Sequence, residues 1–401
     1  MAAKSLDQKL ARIHADPRRG NDFILADAKD ADMALAIGAP GQSPEAHAGE
    51  ARFRSIREYR DIIEQIVQQG LVDIMLMSAA TSELLTIQKR IFDNSAVTPA
   101  ARANDTTDIH IVRGGKYVSQ PSHAFRTATL DHIQCGHLDC APDERALGAD
   151  LGLYSMTFAN DVAYDLPLLE EYKAFRLEAE RKNFRHFLEV FDPNLPSAVP
   201  AEKLAEFMND VIIRTLGGVT SKGRPLFLKI VYHGPKALEE LVHYDPHTIV
   251  GILGGSAGTT YDAFKLLAEG KKYGARVALF GRKINNAENQ LAFIHFLRLI
   301  ADGEIGPEEA VRAYHGVLQR LGVKPLRSLG EDMQLQTGVM NYAGTGTTIS
   351  VPPRAEKPAE CQCACRDEKK ESKPTGEPDF SKMTAAEKMA WHKAKWDRVL
   401  G

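Results

Sequence analysis

Short apolar runs alternate with stretches of helical spacing along most of the chain. The runs at 23–27, 72–78, 96–100, 151–157, 185–191, 226–231, 248–253 and 276–280 read as strands. Several lack polar alternation, as expected of parallel strands covered by helices on both faces. Helical spacing fills 56–69, 167–183, 201–216, 260–269 and 287–301. Pro167 suits a first helical position, where its missing N–H costs nothing. Eight strand–helix units over about 300 residues predict an α/β fold, a (β/α)8 TIM barrel. A doubly wound open sheet is the competitor, and periodicity alone does not exclude it.

The rhythm breaks after the third strand. A long insertion follows, in which Gly114 and Gly115 between two alternating runs suggest a small hairpin and 124–132 suggests a helix. Long loops at the C-terminal face of barrel strands often act as lids. Near residue 350 the composition turns to Pro, Lys and Glu, which predicts a disordered linker over 351–380. Thr384 and Glu387 then fit a capping box. Ala385, Met389, Trp396 and Leu400 share one face of an amphipathic helix over 381–401, which needs a docking surface and so points to a protein partner. The expected organisation is a barrel over 1–350, a linker and a terminal helix.

The 401 residues carry a net charge of −3, with a pI near 6.5. No global basic field exists to attract nucleic acid or anionic membrane. No apolar run is long enough to span a bilayer, and the first residues lack the apolar core of a secretory signal. Five cysteines, three of them in the tail, do not make a disulfide scaffold, so a cytoplasmic setting is expected.

Lys229 interrupts the run RPLFLKIVYHG, whose other strand residues are apolar. An ammonium buried on both faces is costly without partners. It could lie on an edge strand facing water or in a buried ion pair. It could instead serve as a neutral amine that attacks a carbonyl and forms a Schiff base, since burial disfavours a lysine's charge. Downstream, Gly254, Gly255 and Ser256 close the seventh strand before a helix starting near Thr259, and Gly281 and Arg282 close the eighth. Small residues before a helix start can turn backbone N–H groups toward an anion, and loops after strands seven and eight commonly hold phosphate in this barrel.

In that order these motifs make residues 227–292 resemble the C-terminal half of archaeal-type class I aldolases. The wider group includes fructose-bisphosphate, tagatose-bisphosphate and deoxyribose-phosphate aldolases and a related thiolase. The resemblance implies that Lys229 is the Schiff-base lysine on the sixth strand. It implies that Gly254, Gly255, Ser256, Gly281 and Arg282 hold a substrate phosphate. It points through the first-strand segment FILAD to Asp27 as an active-site acid, with Lys29, Asp30 and Asp32 as close neighbours in register, and it suggests a homo-oligomer. Two departures stand out. Phe191 occupies about the place of the family's proton-donating tyrosine, and Lys283 stands where the family has Asn. Glu189, two residues before Phe191 on the same strand face, could shuttle protons in its apolar surroundings or pair with Lys229.

Arg102, Asn104 and Asp105 after the third strand, and Ser155, Thr157, Asn160 and Asp161 around the end of the fourth, could line the mouth. Tyr154 is as readily a core residue, and alternation turns Tyr232, before His233, away from the lysine face. Cys361, Cys363 and Cys365 lack C-x-x-C spacing and a nearby fourth ligand, His392 being far along the chain. Cys135, His137 and Cys140 likewise lack it, so no metal is expected. The sum is a class I aldolase-like lyase acting on a phosphorylated ketose or related carbonyl compound, without a cofactor. The alternatives are thiolase-like acyl transfer on the same barrel and a non-catalytic sugar-phosphate-binding barrel.

Overall fold

A computed structural model describes residues 3–18, 20–41, 53–255 and 258–336. Contacts divide the chain into two units, Met1–Val351 and Pro352–Gly401. The second lies outside the described residues, and with it fall the expected linker, the tail cysteines and the terminal helix.

Eight parallel strands close a barrel in chain order. They are β1 (Ile24–Lys29), β2 (Ile74–Met77), β3 (Thr98–Arg102), β4 (Leu151–Thr157), β5 (Arg185–Phe191), β6 (Leu228–Ile230), β7 (Val250–Leu253) and β8 (Val277–Phe280). The open-sheet competitor is excluded because β1 pairs with both β2 and β8. Each of the eight apolar runs supplies one strand, with ends shifted by a few residues.

Period-two alternation assigns the faces. Ile24, Ala26, Ile74, Leu76, Ala100, Leu153, Phe187, Phe227, Val277 and Leu279 pack together inside the barrel. Leu25, Met75, Ala101, Tyr154, Leu188, Leu228, Ile252 and Phe280 belong to the layer between strands and helices. That outer layer is covered by α2 (Ile56–Gln69), α3 (Val162–Arg181), α4 (Leu204–Leu216), α5 (Pro235–Tyr244), α6 (Thr260–Lys272), α7 (Gln290–Asp302) and α8 (Pro307–Arg320). The helix α3 begins a turn earlier than expected. Asp161 caps it by accepting from the Ala163 N–H at 2.8 Å, which leaves Pro167 inside the helix rather than at its first position.

The N-terminal helix α1 (Ser5–Ala15) closes the floor of the barrel. Leu6, Leu10 and Ile13, spaced as one helical face, join the interior cluster. Lys4 donates to Phe92, Ser95 and Val97 carbonyls, and Lys9 bonds Phe23 O and Asp73, all at strand entrances.

The insertion after β3 closes the opposite end. Ile109 packs with Phe191, Val231 and Leu253, inward-facing residues at the exits of β5, β6 and β7. Asp108 accepts from Thr157 at 3.1 Å, Ile111 N–H donates to Ala34 O, and Asn194 donates to Val118 O and Gln120 O. The hairpin expected around Gly114 and Gly115 differs. The paired residues are Asp105–Thr106 with Ala124–Phe125, and short 3-10 turns lie between them. The helix expected over 124–132 is confined to Leu130–Cys135.

Candidate active site

Side chains of β4, β5 and β6 form one inward row toward the C-terminal mouth. Ser155 pairs in register with Glu189, Glu189 with Lys229, and Lys229 with Gly251. Lys229 is 4% exposed and Glu189 fully buried. The Lys229 amine is ion-paired with Glu189 Oε1. The other Glu189 oxygen accepts from Ser155 Oγ at 2.7 Å and lies 3.6 Å from Arg102 Nη2. Arg102, at the end of β3, also meets Ser155 Oγ at 3.1 Å, bonds Asp30 through Nε and lies 3.6 Å from Asp105. Asn104 clamps the Ser155 backbone, donating to its carbonyl at 2.8 Å and accepting from its N–H at 2.6 Å. Of the readings open for Lys229, the edge strand is excluded. The buried ion pair is present, inside the barrel and at its mouth.

This network balances two cations against three carboxylates. Burial pushes Asp105 up to about 6, against the pull of Arg102. A carboxylate partner and further hydrogen bonds offset part of the desolvation cost of a buried cation, and removing the partner leaves that cost uncompensated.

The acid expected at Asp27 is placed elsewhere. Ile24, Ala26 and Ala28 take the inward face of β1, so Asp27 faces the helix layer. There it lies 3.5 Å from Lys29, which donates to Gln290 of α7 at 2.7 Å and stands over the Tyr59 ring of α2. Burial pushes Asp27 up to about 6 and Lys29 down. The acid that β1 delivers to the mouth is Asp30, three residues on. The sequence hid this register because both faces of the strand are apolar.

A pocket opens beside the Lys229 row. Ala28, Asp30, Arg102, Lys229 and Leu253 line it, with Gly254, Gly255, Gly281 and Arg282 along one wall. Four of the five expected phosphate residues therefore meet at the mouth with the lysine; Ser256 lies outside the described residues. Gly254 and Gly281 are required sterically. A Cβ on Gly254 would sit 2.1 Å from Phe280, and one on Gly281 would sit 2.8 Å from Ala28 O. The start of α6 is not free for a ligand, however. Thr260 N–H donates to Asp332 at 2.8 Å, and Asp262 completes a capping box with Thr259. The chain's own carboxylates thus take the positive end of that helix. Lys283 does not face solvent. Its amine donates to Gly258 O at 2.7 Å and fastens the loop after β7 to the chain after β8.

Phe191 faces inward but lies in the apolar seam under Ile109. Tyr154 packs against Tyr172 and Phe175, and Tyr232 bonds Glu269 outside the barrel. Beyond the strand ends, Asp192 Oδ1 accepts from His233 Nε2 at 2.8 Å, forming a largely buried pair beside the exits of β5 and β6. The sequence offered both residues, but nothing in their spacing paired them.

No family model and no curated protein matches the sequence. Solved structures do. An archaeal fructose 1,6-bisphosphate aldolase aligns with a TM-score of 0.51 at 14% identity, over 74% of this chain and 99% of its own. The fructose-bisphosphate aldolase of Slackia heliotrinireducens gives 0.56 at 13%, over 77% and 91%. An archaeal enzyme with its catalytic lysine covalently bound to the carbinolamine intermediate of the substrate gives 0.52 at 14%, over 74% and 100%. The fold is that of the class I aldolases. Identity this low speaks to architecture. What the aldolase-like barrel does chemically has to be argued from its residues.

Proposed function

We propose that this aldolase-like barrel is a carbon–carbon lyase that forms a Schiff base between Lys229 and a phosphorylated ketose or related carbonyl compound. The observation that carries the reading is the Lys229–Glu189 pair, buried inside the barrel at its mouth and opening onto the Gly254–Gly255 and Gly281–Arg282 wall. Glu189 takes a proton from the ammonium and frees the amine to add to the carbonyl. It returns that proton to the carbinolamine hydroxyl, which leaves as water. The iminium draws in the electron pair of the bond being cleaved, while Glu189, again ionised, takes the proton of the substrate's β-hydroxyl. The enamine is then protonated, and water releases the product from Lys229. Arg102 and Ser155 hold Glu189 in place throughout. Glu189 thus stands in for the tyrosine that Phe191 replaces. Arg282, with the glycine backbones beside it, receives the phosphate.

The test is borohydride reduction of the full chain with phosphorylated ketoses, followed by peptide mass mapping. A reduced adduct on Lys229, absent in Lys229→Met, is expected. Arg282→Ala should weaken trapping of a phosphorylated compound more than of its dephosphorylated form. Turnover with no adduct, or an adduct on another lysine, would overturn the reading.

A further inference from the structure

Outside the mouth, the insertion gathers a second set of reactive side chains. The helix Leu130–Cys135 ends at Gly136, whose φ of +88° reverses the chain. The residues that follow form a closed loop. Its ends are tied where Gly148 N–H donates to Gln134 O at 2.7 Å and Ala149 N–H to Ile133 O at 3.2 Å. A Cβ on Gly148 would sit 2.2 Å from Ile133 O, so this closure requires glycine. Within the loop, ligand atoms of Cys135, His137 and Glu144 lie within 4.8 Å of one another. Cys140 neighbours Cys135 at the edge of this group of three. Both cysteines are buried and free.

The histidine is oriented. Its Nδ1 lies 2.8 Å from Leu138 O, an acceptor, so Nδ1 carries the hydrogen. Nε2 faces Glu144 Oε1 at 3.3 Å, an ion pair when the ring is protonated, and becomes a ligand atom once a metal displaces that proton. A backbone carbonyl holding the remote nitrogen is the usual support of a metal-bound imidazole. Glu144 is held in turn, since its other oxygen accepts from Ala141 N–H at 2.9 Å. Two sulfurs, one imidazole nitrogen and one carboxylate oxygen suit tetrahedral zinc in number and type.

We propose that Cys135, His137, Cys140 and Glu144 bind one zinc ion, which fastens the insertion. On binding, the two thiols become thiolates and the ring gives up its Nε2 proton, all released to solvent. An insertion with only short elements of its own gains most from such a staple. The spacing C-x-H-x2-C-x3-E is not that of common zinc motifs, so the cluster emerges only when the loop closes. The proposal is independent of any chemistry at Lys229.

The test uses the full chain without an affinity histidine tag. Cys361, Cys363 and Cys365 are changed to Ser, so that tail thiols contribute nothing. After reduction and dialysis against zinc, one ion per chain is expected, and cobalt should give thiolate charge-transfer absorption. Cys135→Ser with Cys140→Ser should abolish both. Should that variant fail to fold, His137→Ala and Glu144→Gln at the partly exposed ligands carry the test. Each should weaken zinc affinity by about tenfold or more, measured against a chromophoric chelator. Unchanged affinity in both, no zinc in the tail-serine chain, or recovery of a Cys135–Cys140 disulfide under zinc excess would overturn the proposal.

Discussion

Asp27 and Lys29 show how one residue of register decides whether a charged side chain faces the barrel interior or the helix layer. Both are completely buried between barrel and helices, and neither oxygen of Asp27 has a hydrogen-bond donor within ordinary geometry. Removing one member of such a pair leaves an uncompensated charge, at a cost of about 3–5 kcal/mol, whereas replacing both with apolar side chains is often neutral or stabilising. Asp27→Asn should therefore lower the unfolding free energy by that amount. The double change Asp27→Leu with Lys29→Met should recover it and leave borohydride trapping on Lys229 intact. Lost trapping in a well-folded double variant would return Asp27 to the chemistry. At this scale the sequence was legible where a residue broke a pattern. Lys229 and Glu189 were visible as charges in apolar strands, and the glycines as tight turns. Asp30 was obscured by its acidic neighbours. Arg102 was legible as a polar residue that could line the mouth, but nothing local announces that its guanidinium meets Asp30 after β1 and Glu189 of β5.

Elements were legible in proportion to their periodicity. The helix 56–69 has the expected ends because Ser55 and Glu58 form a capping box at its start and Gly70, at φ +70°, closes it. The insertion was not legible, since its order comes from contacts with Ala34, Thr157 and Asn194, far away in sequence. The loop after β7 offers a test at this scale. Burial pushes Lys283, which fastens that loop, down to about 8. An amine that loses its proton at about 8 when folded but near 10.5 when unfolded makes the unfolded chain the stronger proton binder between those values. Stability should therefore rise with pH across that window, by up to about 3 kcal/mol. Lys283→Met should lack the rise. Parallel pH profiles of denaturant midpoints for the two chains check it, and identical profiles would mean that Lys283 is charged and solvated throughout.

For the whole molecule, barrel closure was foreseeable from the count of strands, but what closes its two ends was not. The spacing of Leu6, Leu10 and Ile13 gives α1 an apolar face, yet only the assembled barrel supplies the floor that face covers. Leu6 is completely buried there, so Leu6→Ala should cost about 2–5 kcal/mol in chemical denaturation. A cost under about 1 kcal/mol would mean that the floor holds without α1.

The seat of α1 includes Ile249, Val277 and Leu279. During synthesis α1 therefore waits for residues made some 270 positions later. At about 5–20 residues per second that is a delay of roughly 14–54 s. Throughout it, Leu6, Leu10 and Ile13 have no native partner from the last two strands. The helix α1 is made long before the strands that bury its apolar face, which makes it a natural place for a chaperone to hold.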